Sequence, residues 1–326
     1  MAITVVALLV RQSGPTAVSV PSDGLAVGED VWILAGEGDA PGLLRLDDVT
    51  GDRLGGPVNA FPLDGLDALA VGAQEGAPQV WALNDRARQV APELVASIDV
   101  ESRSIEGEGE AIEVDGDRIW VAHGFGPTVR LSIFSADGAP AGGADAGQRG
   151  DAGAGVSLDV EAGVGWVAAG MLEVVRVAED GSTRAFGLDR RALAVSAVGD
   201  IVLVATDRGE VLRFDAAPLL AQSGEPARAT EVERLAVTGD SVLDQLVTDG
   251  ETAWASGPGT GVWRLAADLS GPPEQVHVPS GGPKVLALGP GGLWVADPDR
   301  GRLHRVGDDV TEHLSVDLTS VLRAGG

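Results

Sequence analysis

The chain has no cysteine and no tyrosine, and Lys284 is its only lysine. Without cysteine there is no disulfide framework, no thiolate nucleophile and no cysteine-ligated metal. That absence does not fix the compartment. The imidazoles are four, His123, His277, His304 and His313. No Ser-His-Asp order, phosphate-binding P-loop or HExxH pattern is present. No apolar run reaches the roughly eighteen residues that a membrane-crossing helix needs. Ile3–Val10 is apolar, but no basic residue precedes it and no small-residue cleavage site follows soon. It reads as a strand and not as a signal peptide.

Positive charge is also scarce. Lys and Arg together number 23 against 49 Asp and Glu, for a net charge of −26 at pH 7. Binding through phosphates requires clustered cations, and the arginines here are dispersed along the chain. Nucleic acid and membrane insertion are therefore not expected, and a protein partner or assembly is.

What is plentiful is glycine, 47 residues of it, and it recurs on a beat. Seven copies of one unit can be aligned on Trp32, Trp81, Trp120, Trp166, Leu203, Trp254 and Trp294. Their mean spacing is roughly 44 residues, the period of a four-stranded propeller blade. An arginine follows in six of them: Arg45, Arg130, Arg176, Arg213, Arg264 and Arg305. In four copies it comes ten residues after the anchor (120/130, 166/176, 203/213, 254/264), as a short hairpin would hold it. In the second copy Glu93 falls near the arginine position.

Each unit reads as a short apolar inner strand (Leu69–Val71, Ile112–Val114, Leu158–Val160, Val285–Leu288), a tight turn, a second strand with the Trp, a third with the Arg and a weaker fourth. The turns Asp115-Gly116-Asp117, Val198-Gly199-Asp200 and Asp249-Gly250-Glu251 supply the positive φ of a two-strand hairpin. Apolar runs such as Ile201–Ala205 suit strands covered on both faces. The Trp then fills the wedge between blades. The repeat arginines are expected to tie blades to neighbouring carboxylates.

The expected fold is all-β, a seven-bladed β-propeller of four-stranded blades, one domain over 1–326. Blade one spans Leu25 to about Pro62, and blade two Leu69 to about Ser104. Residues 1–22 hold two strands, Ile3–Val10 and Thr16–Val20. One is expected to complete the last blade beside Val310–Val316, which would hide two sheet edges. Asn84–Pro92 and Ala216–Arg234 are longer loops. Ala139–Gly155 is Gly/Ala/Asp-rich and is expected to be an exposed flexible loop. Its Arg149-Gly150-Asp151 has the form of an adhesion tripeptide.

The clearest copies are Gly116-Asp-Arg-Ile-Trp-Val-Ala122, Gly291-Gly-Leu-Trp-Val-Ala-Asp297 with Leu303-His-Arg-Val306, and Leu43-Leu-Arg-Leu-Asp47. This pattern resembles the blades of the bacterial streptogramin lyase-like, YVTN and NHL group of propellers, over about residues 24 to 316. The resemblance implies the fold. It carries no active site across, because a lyase's catalytic His and Glu have no matching positions here and the shared residues are packing residues.

Two constellations are candidate sites. Three positions after each anchor, where the second strand reaches the loop-bearing face, stand Ala35, Asn84, His123, Ala169, Thr206, Gly257 and Asp297. Asn84, His123, Thr206 and Asp297 could hold Ca²⁺, Mg²⁺ or Mn²⁺ through oxygen ligands and one imidazole, or be strand-end polar groups satisfied by water. On the inner strands Glu113, Asp159 and Ser196 occupy equivalent places, with Ala or Val in the other blades. Two neighbouring carboxylates could hold an ion or share a proton, or pair with arginines such as Arg130 and Arg176. The Glu106/Glu108/Glu110 run and His277, His304 and His313 read as solvated. The leading functional expectation is a non-catalytic scaffold with no cofactor, possible as a subunit of a phage virion or surface structure. The alternatives are a metal-dependent lyase or hydrolase of the streptogramin lyase or gluconolactonase-like kind, and a small-ligand or glycan binder.

Overall fold

The computed structural model describes residues 18–20, 24–37, 40–55, 68–74, 77–83, 87–90, 108–136, 139–150, 155–220, 227–228, 232–276, 278, 282, 284–307 and 309–323. They form seven β-sheets. The first holds β1 (Val18–Ser19), β2 (Leu25–Val27), β3 (Asp30–Glu37) and β4 (Ala40–Asp47); the second holds β5 (Ala68–Gln74), β6 (Ala77–Leu83) and β7 (Ala87–Val90). The third is β8 (Glu108–Asp115), β9 (Arg118–Phe125), β10 (Thr128–Ser135) and β11 (Pro140–Gln148). The fourth is β12 (Ser157–Glu161), β13 (Val164–Ala168), β14 (Glu173–Ala178) and β15 (Thr183–Gly187). The fifth is β16 (Ala192–Val198), β17 (Ile201–Thr206) and β18 (Glu210–Asp215); helix α1 (Ala216–Leu220) follows, and then β19 (Ala227–Arg228) crosses to pair in parallel with β15 before β20 (Glu233–Ala236) completes the fifth sheet. The sixth is β21 (Gln245–Thr248), β22 (Thr252–Gly257), β23 (Gly261–Ala266) and β24 (Glu274–Gln275). The seventh is β25 (Val285–Gly289), β26 (Gly292–Asp297), β27 (Arg302–Val306) and β28 (Glu312–Asp317), with helix α2 (Leu318–Arg323) after it. No helix among these residues is long and apolar enough to cross a membrane.

The expected anchors lie on the second strands and are all buried, Trp120 and Trp294 completely. Among the described residues six of the seven, all but Trp32, share a core cluster with the following sheet. Trp81 packs with Ile112 and Phe134, Trp120 with Leu158 and Val175, and Trp254 with Leu293 and Val306. Trp166 meets Phe186 and Phe214 in a trio with ring centroids 5.3–6.3 Å apart. Gly165 leaves room for Trp120, since a Cβ there would sit 3.2 Å from the ring. The buried rings add apolar area to the aliphatic packing at these seams.

The arginine stands directly across from its anchor in five sheets: Trp32↔Arg45, Trp166↔Arg176, Leu203↔Arg213, Trp254↔Arg264 and Trp294↔Arg305. In the third sheet Trp120 faces Ile133 and Arg130 faces His123. That hairpin is longer, so the ten-residue offset there is not the shared register. In the second sheet Gln89 faces Trp81; Glu93 lies outside the described residues. Three of the arginines form ion pairs within their own sheets, which corrects the expected cross-blade pairing for them. The Asp268 carboxyl of the next sheet is nevertheless held below its usual range by its bonds to Ser270 and, to a smaller degree, by the Arg213 charge. Arg45 meets Asp30 (Nε to Oδ2, 2.6 Å), Arg213 meets Glu233 at 3.0 Å and Arg264 meets Glu274 at 3.4 Å. Arg45 and Arg264 also lie over Trp32 and Trp254, 5.4 and 5.9 Å from the ring centroids.

Other expectations are corrected. Ala139–Gly155 is largely strand, since β11 pairs along β10 with two register shifts. An outer strand needs only backbone partners, so small residues suffice. Ala216–Arg234 carries α1 and β19, and Asn84–Pro92 includes β7. The described part of Thr16–Val20, β1, pairs with β3 of the first sheet (Val18↔Glu37). The last sheet takes its fourth strand, β28, from its own stretch of chain. Ile3–Val10 lies outside the described residues.

Candidate functional site

The inner strands β2, β5, β8, β12, β16, β21 and β25 touch one another in that order, and β25 returns to β2. They surround a cavity of about 710 Å³. Its polar lining comes from Glu113, Ser157, Asp159, Ser196, Asp244, Gln245 and Thr248, and no Lys, Arg or His among the described residues lines it. Glu113, Asp159 and Ser196 do share one register, each directly across from its anchor (Trp120, Trp166, Leu203). Ala26, Ala70, Val247 and Ala287 fill that place elsewhere.

Among the described residues Asp159 pairs with no arginine. Its Oδ2 accepts the Ala197 backbone N–H of the next inner strand. The same device recurs beside it: Asp115 accepts from Gly163 N–H (2.7 Å), Ser157 from Val195 N–H (3.1 Å) and Glu161 from Gly199 N–H. The cavity-facing edge of an inner strand has no strand beyond it, and Ser157 and Asp159 satisfy its orphan donors, while Asp115 and Glu161 satisfy turn donors. Burial pushes the Asp159 carboxyl up to about 6, against the Ala197 N–H and Ser196 hydroxyl, which favour the anion. Burial also lifts Asp244 to about 6. Sequence reading missed Asp244 because it lies just before the apolar stretch that marks the strand.

The strand-end ring behaves differently. His123 is buried, with Nε2 2.7 Å from Ser132 Oγ on the adjacent strand. Thr206 is buried, and its Oγ1 donates to the Glu210 carbonyl (3.0 Å) while accepting the Arg208 and Glu210 N–H groups (3.3 and 3.2 Å). It fastens its own hairpin. Asp297 is fully buried against Lys284, 3.1 Å away and equally buried, with Arg300 at 3.9 Å. None of the three lines the cavity, and Asn84 lies outside the described residues. Among the described residues no group of three His, Asp or Glu side chains comes together as a metal cage. Lys284 escaped sequence reading as a site residue. Its signal was its solitude: a compact ammonium kept in an otherwise arginine-only chain fits an enclosed place that a planar guanidinium does not.

The remaining candidates are also placed. His304 is buried on β27, with Nδ1 3.4 Å from Ser315 Oγ, so it is not solvated as expected. His277 and Glu106 lie outside the described residues. Glu110 pairs with Arg149, which takes that arginine out of a presented adhesion tripeptide.

No family model matches the chain, and no curated protein matches it in sequence. Solved structures do match in shape. Hsv2 of Kluyveromyces lactis superposes with a TM-score of 0.60 over 92% of this chain and 100% of that one, at 8% identity. The computationally designed Ika8 protein gives 0.60 over 92% and 89%, at 12% identity. BamB from Moraxella catarrhalis gives 0.53 over 86% and 83%, at 15% identity. The fold is a β-propeller. Such identities speak for the fold and for nothing finer.

Proposed function

We propose that the chain is a seven-bladed propeller of the streptogramin lyase-like, YVTN and NHL kind, serving as a non-catalytic protein-interaction scaffold within a larger assembly. The circuit of inner strands supports the blade count. The observation that carries the functional reading is the fate of the strand-end polar residues. His123 and Thr206 are bonded inside their own sheets, and Asp297 is ion-paired with Lys284, which stands just before β25. A catalytic ring needs those groups free and convergent. At the same end of the sheets, Leu172 (54% exposed) and Val242 (38% exposed) present apolar side chains to solvent, which suits contact with another protein. A second reading, a small-ligand binder, draws on the cavity and its mixed lining of carboxylates, hydroxyls and aliphatic groups.

The test has two arms. Equilibrium dialysis against Ca²⁺, Mg²⁺ and Mn²⁺ is expected to show no saturable uptake. Crosslinking mass spectrometry in the native setting is expected to yield a protein partner whose crosslinks disappear in Leu172→Asp. Saturable uptake abolished by Asp297→Asn or Asp159→Asn would replace the scaffold by the enzyme reading.

A further inference from the structure

We propose that helix α2 is a clasp that closes the ring between the last and first sheets, and that the ring opens at this seam when the helix is released. Leu318 is fully buried in one cluster that holds Leu25, Ile33 and Leu44 of the first sheet together with Trp294 and Leu303 of the last. Val321 and Leu322 pack onto the same cluster. Polar contacts fix the helix at both sides. The Leu318 N–H donates to the Gly301 carbonyl of the last sheet at 2.8 Å. The Arg53 Nη1 reaches from the first sheet to the Val321 carbonyl at 2.9 Å. Asp317 caps the helix start, accepting from the Ser320 N–H and hydroxyl at 3.2 and 3.0 Å.

The helix spans a seam that is apolar at the axis. At two other seams side chains of one inner strand accept N–H groups of the next, as Asp159 does from Ala197 and Gln245 from Leu286. Among the described residues no such bond crosses from β25 to β2. There the contact is apolar, Gly289 lying so close to Val27 that a Cβ would collide with it. The same seam forms part of the cavity wall, through Leu25–Val27 and Leu286–Leu288. Release of α2 therefore opens one wall of the central cavity.

The test is hydrogen–deuterium exchange resolved by peptide, on the full chain. Leu318→Asp is expected to speed exchange roughly tenfold or more in β2–β4 and β25–β28, while the fourth and fifth sheets keep their protection. Leu322→Asp is half-buried and milder, and should give the same pattern at smaller amplitude. If Leu318→Asp does not fold, Leu322→Asp decides. The competing closure, by a strand from Ile3–Val10, is probed with Val6→Pro. Unchanged protection at the seam in Leu322→Asp, an even loss over all sheets, or opening by Val6→Pro alone would each overturn the clasp.

Discussion

Asp159 shows how one position can be legible in type and hidden in role. Its place in the repeat marks it as a carboxylate facing the axis, yet its partner, the Ala197 N–H, belongs to the next sheet. Burial raises the folded-state value from 3.8 to about 6. The folded protein then holds a proton that the unfolded chain has released between these values, so this residue's contribution falls as pH rises through that window. Above pH 6 its cost is complete. Asp159→Asn is expected to raise stability at pH 7, on the order of 2–3 kcal/mol from the size of the shift, with the gap closing toward pH 4. Urea unfolding at both pH values measures it. A variant equally or less stable than the parent at pH 7 would show that the hydrogen bond to the anion outweighs burial. Trp120, by contrast, was readable outright. It is fully buried between the third and fourth sheets, and Trp120→Ala should cost about 3–5 kcal/mol. An unchanged unfolding midpoint would place its ring in solvent and contradict the packing described.

At the scale of the element, pairing register and sequence offset part company. The arginine lies opposite the anchor in five sheets whether the hairpin is short, as between Trp254 and Arg264, or long, as between Trp32 and Arg45. Cross-strand contact is what the repeat maintains, and the length of paired strand together with the turn sets the count of residues between. In the third sheet the count of ten is met and the contact is not, because β9 and β10 stay paired over eight residues up to a two-residue turn at Gly126. Arg213 and Arg264 join the outer strands of their own sheets at part-exposed positions, where ion pairs contribute little. Arg264→Leu should accordingly shift stability by less than about 1 kcal/mol, read by thermal or urea unfolding. A loss of several kcal/mol would mean that the guanidinium also joins sheets. The strand β11 makes the complementary point. Its Gly/Ala-rich stretch carries no apolar alternation to announce a strand. It is one because β10 offers a ladder of backbone partners.

For the whole molecule, the beat of anchors, the Gly turns and the apolar inner strands were enough to expect an all-β propeller, because those features act between residues near in sequence. Turn chemistry, strand alternation and anchor position are local rules, and a chain that repeats them must repeat its sheet. The polar site was less legible. Which of His123, Thr206 and Asp297 would face a ligand depended on partners that no repeat specifies: Ser132, the Thr206 hairpin itself, and Lys284. Burial made those choices, since a buried polar group takes the nearest partner that satisfies it and is then lost to the surface. Closure lay further still from local pattern. That α2 lies against both the first and the last sheet, with Arg53 bonded to Val321, joins residues from opposite ends of the described chain. Only the curvature accumulated over every intervening sheet brings them together, and no stretch of sequence encodes that sum by itself.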